Sequence, residues 1–471
     1  MKSNSLVFLL RKSLQIIFII AFVNTSYAQI WKQIEKGAKD IQKSAREVRN
    51  TAREVKSTST EIKNTAKLIK KTWTKDTSAN IRYRQIPDYR SREEVGINKK
   101  LKLSIENGDF VNLTWSPVTK FDNQIFPSFV IGWASYKGIK NEDMGSSLGF
   151  NISTQIPKVI LKWEIESSDK EFFSIDSGYI NCDELKNRMF MPKIAWNYKA
   201  LIKHENSAPL NIYFRLTDPN TGKKIEKLAT INLRSVNDCI IAYNSTKFHY
   251  MFASYVNEDH PDIDKILKQM LNTKMIDAVW GYQGGDPFTD LQVAALWRVL
   301  HEKGFQYSSI TDNTGYNENK GLFTQTVRTF DNSLKTSQAN CVDGTVLFAS
   351  ILKRIGLRTV LVTVPGHCFL GYYANDNSDQ IRYLETTIMS DKVFLEDPKS
   401  SVKKYADILA KYLPKDSKMS TINKAYYLEF LQARIAGENA YKEKMEKYGP
   451  NAINKIDVNE MRKYIKPIPL L

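Results

Sequence analysis

Long hydrophobic runs are almost absent from this 471-residue sequence, and its one clear run, at 14–23, lies near the N-terminus. A protein with several membrane spans is therefore excluded, because each span needs about 20 apolar residues. Cysteine is scarce too, with 4 in the chain, which excludes a disulfide-dense scaffold. At 42% hydrophobic and 11% aromatic residues, the composition is that of globular domains rather than of a disordered chain.

The sequence also lacks the glycine motifs of phosphate-binding and dinucleotide-binding loops, so no nucleotide cofactor is predicted. Its 5 histidines show no metal-ligand spacing, and no metal is predicted. Acidic residues are outnumbered by basic ones, 51 to 68, which gives a net charge of +17. This excess favours anionic neighbours such as phospholipid headgroups, acidic wall polymers or nucleic acid, without choosing between them.

The first 28 residues have the layout of a secretory signal peptide. Lys2, Arg11 and Lys12 precede the apolar run, and the small residues Ser26 and Ala28 follow it, which predicts cleavage after Ala28. A run of this length spans only about half of a bilayer core, so an uncleaved anchor is the weaker alternative. We expect an exported protein, located in the periplasm, at the cell surface or in the medium.

Residues 29–76 contain a basic seven-residue repeat that predicts a helix. Aliphatic residues recur at every seventh position, at Ile34, Ile41, Val48, Val55, Ile62 and Ile69. Alanine follows four residues later in most repeats, and this spacing is typical of a coiled coil. With 13 basic and 5 acidic residues between 29 and 75, the helix is expected to self-associate or to bind an anionic envelope surface. A solvated spacer is the alternative.

Residues 80–243 alternate apolar and polar residues in short runs between turn residues, which predicts an antiparallel β-sandwich. The predicted strands include 100–105, 110–115, 128–136, 158–165, 209–216 and 227–234. Four tryptophans are interpreted as core residues: Trp115, Trp133, Trp163 and Trp196. Cys182 and Cys239 also fall in this region, where they either form a disulfide in the oxidising compartment or remain buried thiols.

The segment 337–387 holds the residues that predict chemistry. Asn340 is suited to cap a helix with Asp343 at its third position, and the helix is predicted to end at Gly356. Cys341 is then the first helical residue. The free N–H groups and the positive end of the helix dipole favour its thiolate, which is the form that attacks a carbonyl carbon. The sequence therefore predicts a cysteine nucleophile.

A β-hairpin is predicted to follow, with one strand that holds His367, over 366–373, and a return strand over 381–387. Alternation places His367 on one face of the sheet and Cys368 on the other. A turn centred on Asp376 would put Glu385 directly opposite His367. A carboxylate there can hold one imidazole nitrogen while the other nitrogen faces a thiol, which is the arrangement of a nucleophile–base–orienter triad.

Three motifs in this segment resemble the transglutaminase-like superfamily, in its bacterial branch. They are N-C-V-D-G-T-V-L-F-A-S at 340–350, P-G-H-C-F at 365–369 and Y-L-E-T-T at 383–387. The resemblance covers about 250–395 and implies the papain-like α+β fold, in which a cysteine helix packs on an antiparallel sheet. It implies Cys341 as the nucleophile, His367 as the base, Glu385 at the position usually held by Asp, and Gln338 as an oxyanion-hole side chain.

Some residues depart from the family pattern or leave alternatives open. Glu385 is one methylene group longer than the usual Asp, and Cys368, next to the base, is interpreted as a packing residue. Asp343 is interpreted as a helix-start charge rather than as a modulator of the thiolate. The residues at 280–285 (WGYQGG) either border the cleft or pack in the core. The region at 400–471 is predicted to be a helical appendage that packs on the catalytic domain.

The predicted architecture is therefore multidomain. It comprises a signal peptide (1–28), a heptad-repeat helix (29–76), an antiparallel β-sandwich (80–243), an α+β papain- or transglutaminase-like domain (250–395) and C-terminal helices (400–471). The predicted function is an exported cysteine enzyme that acts on protein or peptide amide bonds by acyl transfer to water or to an amine. A non-catalytic envelope-binding or scaffold protein is the alternative. Nucleic-acid binding is not expected, because the basic repeat lacks interleaved aromatic residues.

Overall fold

The computed structural model describes residues 89–95, 102–134, 146–156, 159–182, 188–308, 315–317, 321–377, 379–414 and 417–468. The predicted signal peptide and heptad-repeat helix lie outside these ranges. The described chain is a mixed α/β structure with several separate sheets. None of its described helices is long and apolar enough to cross a membrane.

Up to residue 247 the described chain is mainly β-structure. Its helices are α1 (Arg92–Val95), α2 (Pro127–Trp133) and α3 (Tyr198–Lys203). Its strands are β1 (Ile105–Glu106), β2 (Asp109–Phe110), β3 (Leu113–Thr119), β4 (Gln124–Ile125), β5 (Leu148–Thr154), β6 (Ile160–Ser167), β7 (Ile175–Asn181), β8 (Arg188–Phe190), β9 (Ala208–Thr217), β10 (Lys224–Leu233), β11 (Asp238–Tyr243) and β12 (Thr246–Lys247). Eight of these strands form a five-stranded sheet, β4-β10-β9-β6-β7, and a three-stranded sheet, β3-β5-β8, while β1 pairs with β2 and β11 pairs with β12.

These two sheets contact each other through aromatic side chains. Every second residue of β6 is buried, as the period-two alternation of a strand requires. Trp163 of β6 lies against Phe190 of β8, with ring centroids 5.9 Å apart, and Phe214 of β9 lies against Phe150 of β5 at 5.5 Å. The buried alternate residues of both sheets therefore share one core.

The strand predicted at 128–136 is wrong, because Pro127–Trp133 forms helix α2. Pro127 occupies the first turn, where its missing N–H and fixed φ suit a helix. The apolar run after it is buried on all sides, so it lacks the alternation that would separate a strand from a buried helix. Trp133, at the end of α2, is half-buried, whereas the other three predicted core tryptophans, Trp115, Trp163 and Trp196, are buried.

All four cysteines are free thiols. Cys182 and Cys239, for which the sequence left a disulfide open, are both buried and not bonded to each other. Burial raises the pKa of the Cys239 thiol well above its usual range. Of the two alternatives, a disulfide or two buried thiols, the structure therefore has the buried thiols.

From residue 249 onward, helices alternate with small sheets. The helices are a 3₁₀ helix (His249–Tyr255), α4 (Asp262–Asn272), α5 (Asp286–Glu302), α6 (Phe330–Thr336), α7 (Cys341–Arg354), α8 (Pro398–Lys404), α9 (Ala406–Tyr412), α10 (Thr421–Tyr448), a second 3₁₀ helix (Pro450–Ala452) and α11 (Val458–Met461). The strands are β13 (Gln306–Tyr307), β14 (Gly315–Asn317), β15 (Leu322–Thr326), β16 (Gln338–Ala339), β17 (Thr359–Val364), β18 (His367–Tyr373), β19 (Ile381–Leu384) and β20 (Asn454–Asp457). They form the sheets β12-β11-β15-β14, β13-β16 and β19-β18-β17-β20.

The sheet β19-β18-β17-β20 carries the candidate site. Its strand β17 reads TVLVTV and is buried at every residue, as expected for a β-branched strand covered on both faces. On one face, Val360 and Phe369 pack with Tyr441 of α10. Tyr372 of β18 instead donates a hydrogen bond to Asp290 of α5, at 2.8 Å. Odd- and even-numbered residues of β18 thus have different neighbours, which agrees with the predicted alternation.

The region predicted as a helical appendage, at 400–471, also completes this sheet. Strand β20 pairs antiparallel with β17, from Asn454 opposite Thr363 to Asp457 opposite Val360. Helix α10 packs on β19, at the opposite edge of the sheet. The C-terminal chain therefore contacts both edges of the sheet that carries the candidate site.

Candidate active site

Helix α7 begins at Cys341 because its neighbours form a capping box. The Asn340 side chain accepts hydrogen bonds from the N–H groups of Val342 and Asp343, each at 2.8 Å, and the Asp343 carboxylate accepts one from the Asn340 N–H at 3.0 Å. The predicted helix start is confirmed. The N–H of Cys341 lies in the first turn, where no carbonyl of the helix can accept it, and the capping box does not use it either. Such a donor can stabilise an oxyanion that forms beside the thiol.

Asp343 also fastens this helix start to the segment before it. Its fully buried carboxylate forms an ion pair with the Arg328 guanidinium at 2.6 Å and accepts a hydrogen bond from the Arg328 N–H at 2.7 Å. Burial raises the pKa of Asp343, although the hydrogen bonds from Asn340 and Arg328 act in the opposite direction. These contacts make Asp343 part of the helix start, in agreement with its interpretation as a helix-start charge.

His367 and Glu385 are directly hydrogen-bonded. The distance between His367 Nε2 and Glu385 Oε2 is 2.6 Å. The other carboxylate oxygen, Oε1, accepts hydrogen bonds from Thr387, at 2.7 Å from its hydroxyl and 3.1 Å from its N–H. Burial acts to raise the pKa of Glu385, but the bonds from His367 and Thr387 hold it below its usual range. Glu385 is therefore an ionised carboxylate with both oxygens engaged.

Cys341 is half-buried, and its side chain lies close enough to the same imidazole to influence the pKa of His367. Since Nε2 is bonded to Glu385, Nδ1 is the ring nitrogen that remains for the sulfur. Burial lowers the pKa of His367, but the hydrogen bonds to Cys341 and Glu385 and their negative charges raise it to about 10. At neutral pH His367 is therefore an imidazolium between two acidic groups. The structure thus brings Cys341, His367 and Glu385 together.

The register of the hairpin differs from the prediction. Its turn is centred one residue later than Asp376, so Leu370 pairs with Leu384 and the whole pairing is offset by two residues. A shift of two keeps every side chain on its face, whereas a shift of one would have reversed it. If continued, this register places Glu385 opposite Phe369 and diagonal to His367. Diagonal neighbours lie about 7–8 Å apart, and the extra methylene group of Glu, compared with Asp, helps to cover that distance.

A close contact joins the two halves of the site. A Cβ atom built on Gly344 of α7 would lie 2.6 Å from the hydroxyl oxygen and 3.1 Å from the Cβ of Thr386, so a larger residue would require the Thr386 side chain to move. The sequence motifs do not point to this contact. A glycine inside a helix, where it costs about 1 kcal/mol relative to alanine, was the signal that could have pointed to it.

Two further sequence predictions have a defined location. Gln338 lies in β16, paired in parallel with Gln306 of β13, and its side chain is exposed. Its role as an oxyanion donor stays a prediction. The segment at 280–285 packs at the other end of β18, where the Tyr282 hydroxyl donates to the Tyr373 carbonyl at 3.2 Å, away from His367 at the start of the strand. Of its two interpretations, packing is the one that these contacts support.

One group in the described chain has potential metal ligands close together. Ligand atoms of His260, Asp262 and Asp331 lie within 4.8 Å of one another, beside a cavity of about 220 Å³. Both ring nitrogens of His260 are already used, since Nδ1 accepts from the Asp262 N–H at 3.1 Å and Nε2 bonds Asp331 Oδ1 at 3.0 Å. Hydrogen bonding alone therefore accounts for this arrangement.

Comparisons with protein-family models, with curated proteins and with solved structures found no match. The resemblance to the transglutaminase-like superfamily therefore rests on the three sequence motifs.

Proposed function

We propose that this protein is an exported cysteine enzyme of the transglutaminase-like type, acting on amide bonds of proteins or peptides. The observation that carries the proposal is the 2.6 Å hydrogen bond between His367 and Glu385, with Cys341 close to the same imidazole on the first residue of a helix. A nucleophile, a base bonded to it and a third group that orients the base are the elements of covalent acyl transfer.

In the proposed reaction, the Cys341 thiolate attacks the amide carbonyl carbon. The negative charge that develops on the carbonyl oxygen is stabilised by the Cys341 N–H and by the predicted donor Gln338. His367 gives its proton to the leaving amine, and a thioester with Cys341 remains. His367 then takes a proton from the incoming water or amine, which attacks the thioester and releases Cys341. Glu385 holds the imidazole and stabilises its charged form throughout.

The finer features of the architecture belong to the same proposal. The papain-like assignment of 250–395 is supported by the cysteine helix α7, which packs on β17 and β18. The sandwich assignment of 80–243 is supported by the aromatic contacts between the two N-terminal sheets.

Export is proposed from residues 1–28. Self-association, or attachment to an anionic envelope surface, is proposed from the basic repeat at 29–76. Hydrolysis is favoured over cross-linking by the resemblance alone.

The proposal is tested by alkylating the protein with iodoacetamide over a range of pH and measuring each cysteine by mass spectrometry. We expect Cys341 to react selectively and faster than an ordinary thiol, because a thiolate beside an imidazole at a helix start is the reactive form. The buried Cys182, Cys239 and Cys368 are internal controls. His367→Ala should move the reaction of Cys341 to higher pH.

Turnover is tested on the same preparations. Release of amine from a mixture of peptide amides should stop in Cys341→Ala, whose circular dichroism should match that of the wild type. A Cys341 that reacts like an ordinary thiol, together with turnover that survives Cys341→Ala, would contradict the proposal. An inert Cys341 without any turnover would favour the envelope-binding or scaffold alternative.

A further inference from the structure

In the part of the chain that the structure describes, strand β19 is the edge of the sheet β19-β18-β17-β20, with no strand on its outer side. Alternate N–H groups of an edge strand point away from the sheet and need other acceptors. Here helix α10 supplies them. The Tyr383 N–H donates to Glu438 Oε1 at 3.3 Å, and the Glu385 N–H donates to the Ala433 carbonyl oxygen at 3.0 Å. The helix therefore takes the place of a further strand.

The second contact concerns the candidate site itself. The ladder between β18 and β19 ends at the pair Leu370–Leu384, one residue before Glu385. From that point the backbone of Glu385 is held by Ala433 of α10 rather than by β18. Its carboxylate nevertheless lies 2.6 Å from His367. The position of that carboxylate thus depends on where α10 lies.

Gly437 allows α10 to lie this close. A Cβ atom on Gly437 would be 2.7 Å from the Leu384 nitrogen and 2.7 Å from the Tyr383 carbonyl carbon. Both of these atoms belong to the strand backbone, so no side-chain rotation can relieve the overlap. Glycine is otherwise the least favourable residue after proline in a helix interior. Its presence in the middle of α10 is explained by this contact.

A buried charged cluster anchors the same part of α10. Arg434, which follows Ala433, forms an ion pair with Asp290 of α5. Asp290 also pairs with Arg382 of β19 at 2.8 Å and accepts a hydrogen bond from the Tyr372 hydroxyl at 2.8 Å. The cluster therefore ties α10 to α5 and to the two strands that lead to His367 and Glu385.

We propose that helix α10 is a positioning element of the active site, and that Gly437 and Glu438 are positioning residues that set where Glu385 meets His367. This inference rests on the proposed function, in which Glu385 orients the base. It assigns a role in the site to a helix about fifty residues beyond the last sequence motif.

The test compares Gly437→Ala with Asn439→Ala in the full chain. Both changes favour the helix, but Asn439 is exposed, whereas Gly437 faces β19. We expect Gly437→Ala to displace Glu385. The pKa of His367, followed by NMR of its imidazole Cε1–H, should fall from about 10 toward its ordinary value, and amide turnover should fall by up to about 100-fold, the effect of a ~1 Å misplacement. Asn439→Ala should match the wild type in both.

A second pair of variants covers the case in which Gly437→Ala does not fold. Glu438→Ala removes the acceptor of the Tyr383 N–H, while Glu438→Gln keeps an acceptor at the same place. We expect the His367 titration to shift down in Glu438→Ala and to be restored in Glu438→Gln. If Gly437→Ala or Glu438→Ala unfolds at a lower temperature while its His367 titrates as in the wild type, α10 supports only the fold and the inference is overturned.

The two proposals fail in different ways. A wild-type protein that keeps the raised His367 titration but cleaves no amide contradicts the enzymatic proposal. In that case a downward shift in Gly437→Ala still supports the role of α10. Loss of turnover in Gly437→Ala without any change in the His367 titration would contradict the role of α10 while leaving the enzymatic proposal intact.

Discussion

The two ends of the candidate triad are built in different ways. Cys341 is positioned by near neighbours in the chain, since Asn340 and Asp343 form its capping box and Arg328 is fifteen residues away from Asp343. Glu385 is positioned by a helix some fifty residues further on, through Ala433, which accepts its N–H. The capping box keeps its geometry wherever the helix forms, whereas Glu385 takes its position only in the assembled domain. Mutation of the residues that hold Cys341 in place should therefore act mainly on stability, and mutation of the residues that hold Glu385 in place mainly on activity.

The largest expected effect is at the glutamate end. Glu385→Gln removes the charge that stabilises the His367 imidazolium, and amide turnover should fall by up to about 10⁴-fold, the scale seen when the acid of such a triad is neutralised. Turnover and the free energy of unfolding should be measured on the same preparations, so that the loss of activity is separated from the loss of stability that follows removal of the ion pair with His367.

Glu385→Asp sharpens this result, because it keeps the charge and shortens the side chain. The diagonal register predicts that aspartate reaches His367 poorly, so Glu385→Asp should resemble Glu385→Gln more than the wild type. Full turnover in Glu385→Asp would show that the longer side chain is not needed.

The next effect is at the cysteine end. Asp343→Ala removes a fully buried carboxylate and leaves the partly buried Arg328 guanidinium without its partner, and loss of one member of a buried ion pair costs up to about 3–5 kcal/mol. Urea unfolding should show this loss in the free energy of unfolding. Asp343→Asn, which keeps a side-chain acceptor for the Asn340 N–H, should lose less. Equal stability of Asp343→Ala and the wild type would show that the contacts of Asp343 at the start of α7 do not stabilise the fold.

The smallest effect is on the pH dependence of stability. The raised pKa of His367, about 10, means that its ion pair stabilises the fold fully below the ordinary histidine value of about 6.5 and is lost as the pH rises through 10. The lowered pKa of Glu385 means that its contribution is present above the ordinary glutamate value and is lost as the pH falls. The unfolding free energies of the wild type and of Glu385→Gln should be measured from pH 4 to 11. They should differ most between the ordinary pKa of glutamate and the raised pKa of His367, and should converge below and above that range. A constant difference would contradict the assignment.

Much of the site could be predicted because the relevant rules act over short stretches of chain. Capping residues predicted the start of α7 at Cys341, and period-two alternation predicted the faces of β18. The same rules failed at Pro127–Trp133, since a short apolar run buried on all sides has the same pattern in a helix and in a strand. They also missed the register of the hairpin by two residues, because alternation repeats every two residues and cannot distinguish such shifts.

By itself, the sequence determined which residues have the right chemistry and on which face each lies, because caps, dipoles and alternation depend on residues a few positions apart. Only the tertiary structure decided how Glu385 reaches His367. Gly437 and Ala433 matter there through contacts with the backbone of Leu384 and Glu385, and Gly344 through its contact with the Thr386 side chain. Such contacts produce no periodic pattern in a sequence. The reason for a glycine becomes apparent only in the tertiary structure, where another chain segment occupies the space that a side chain would fill.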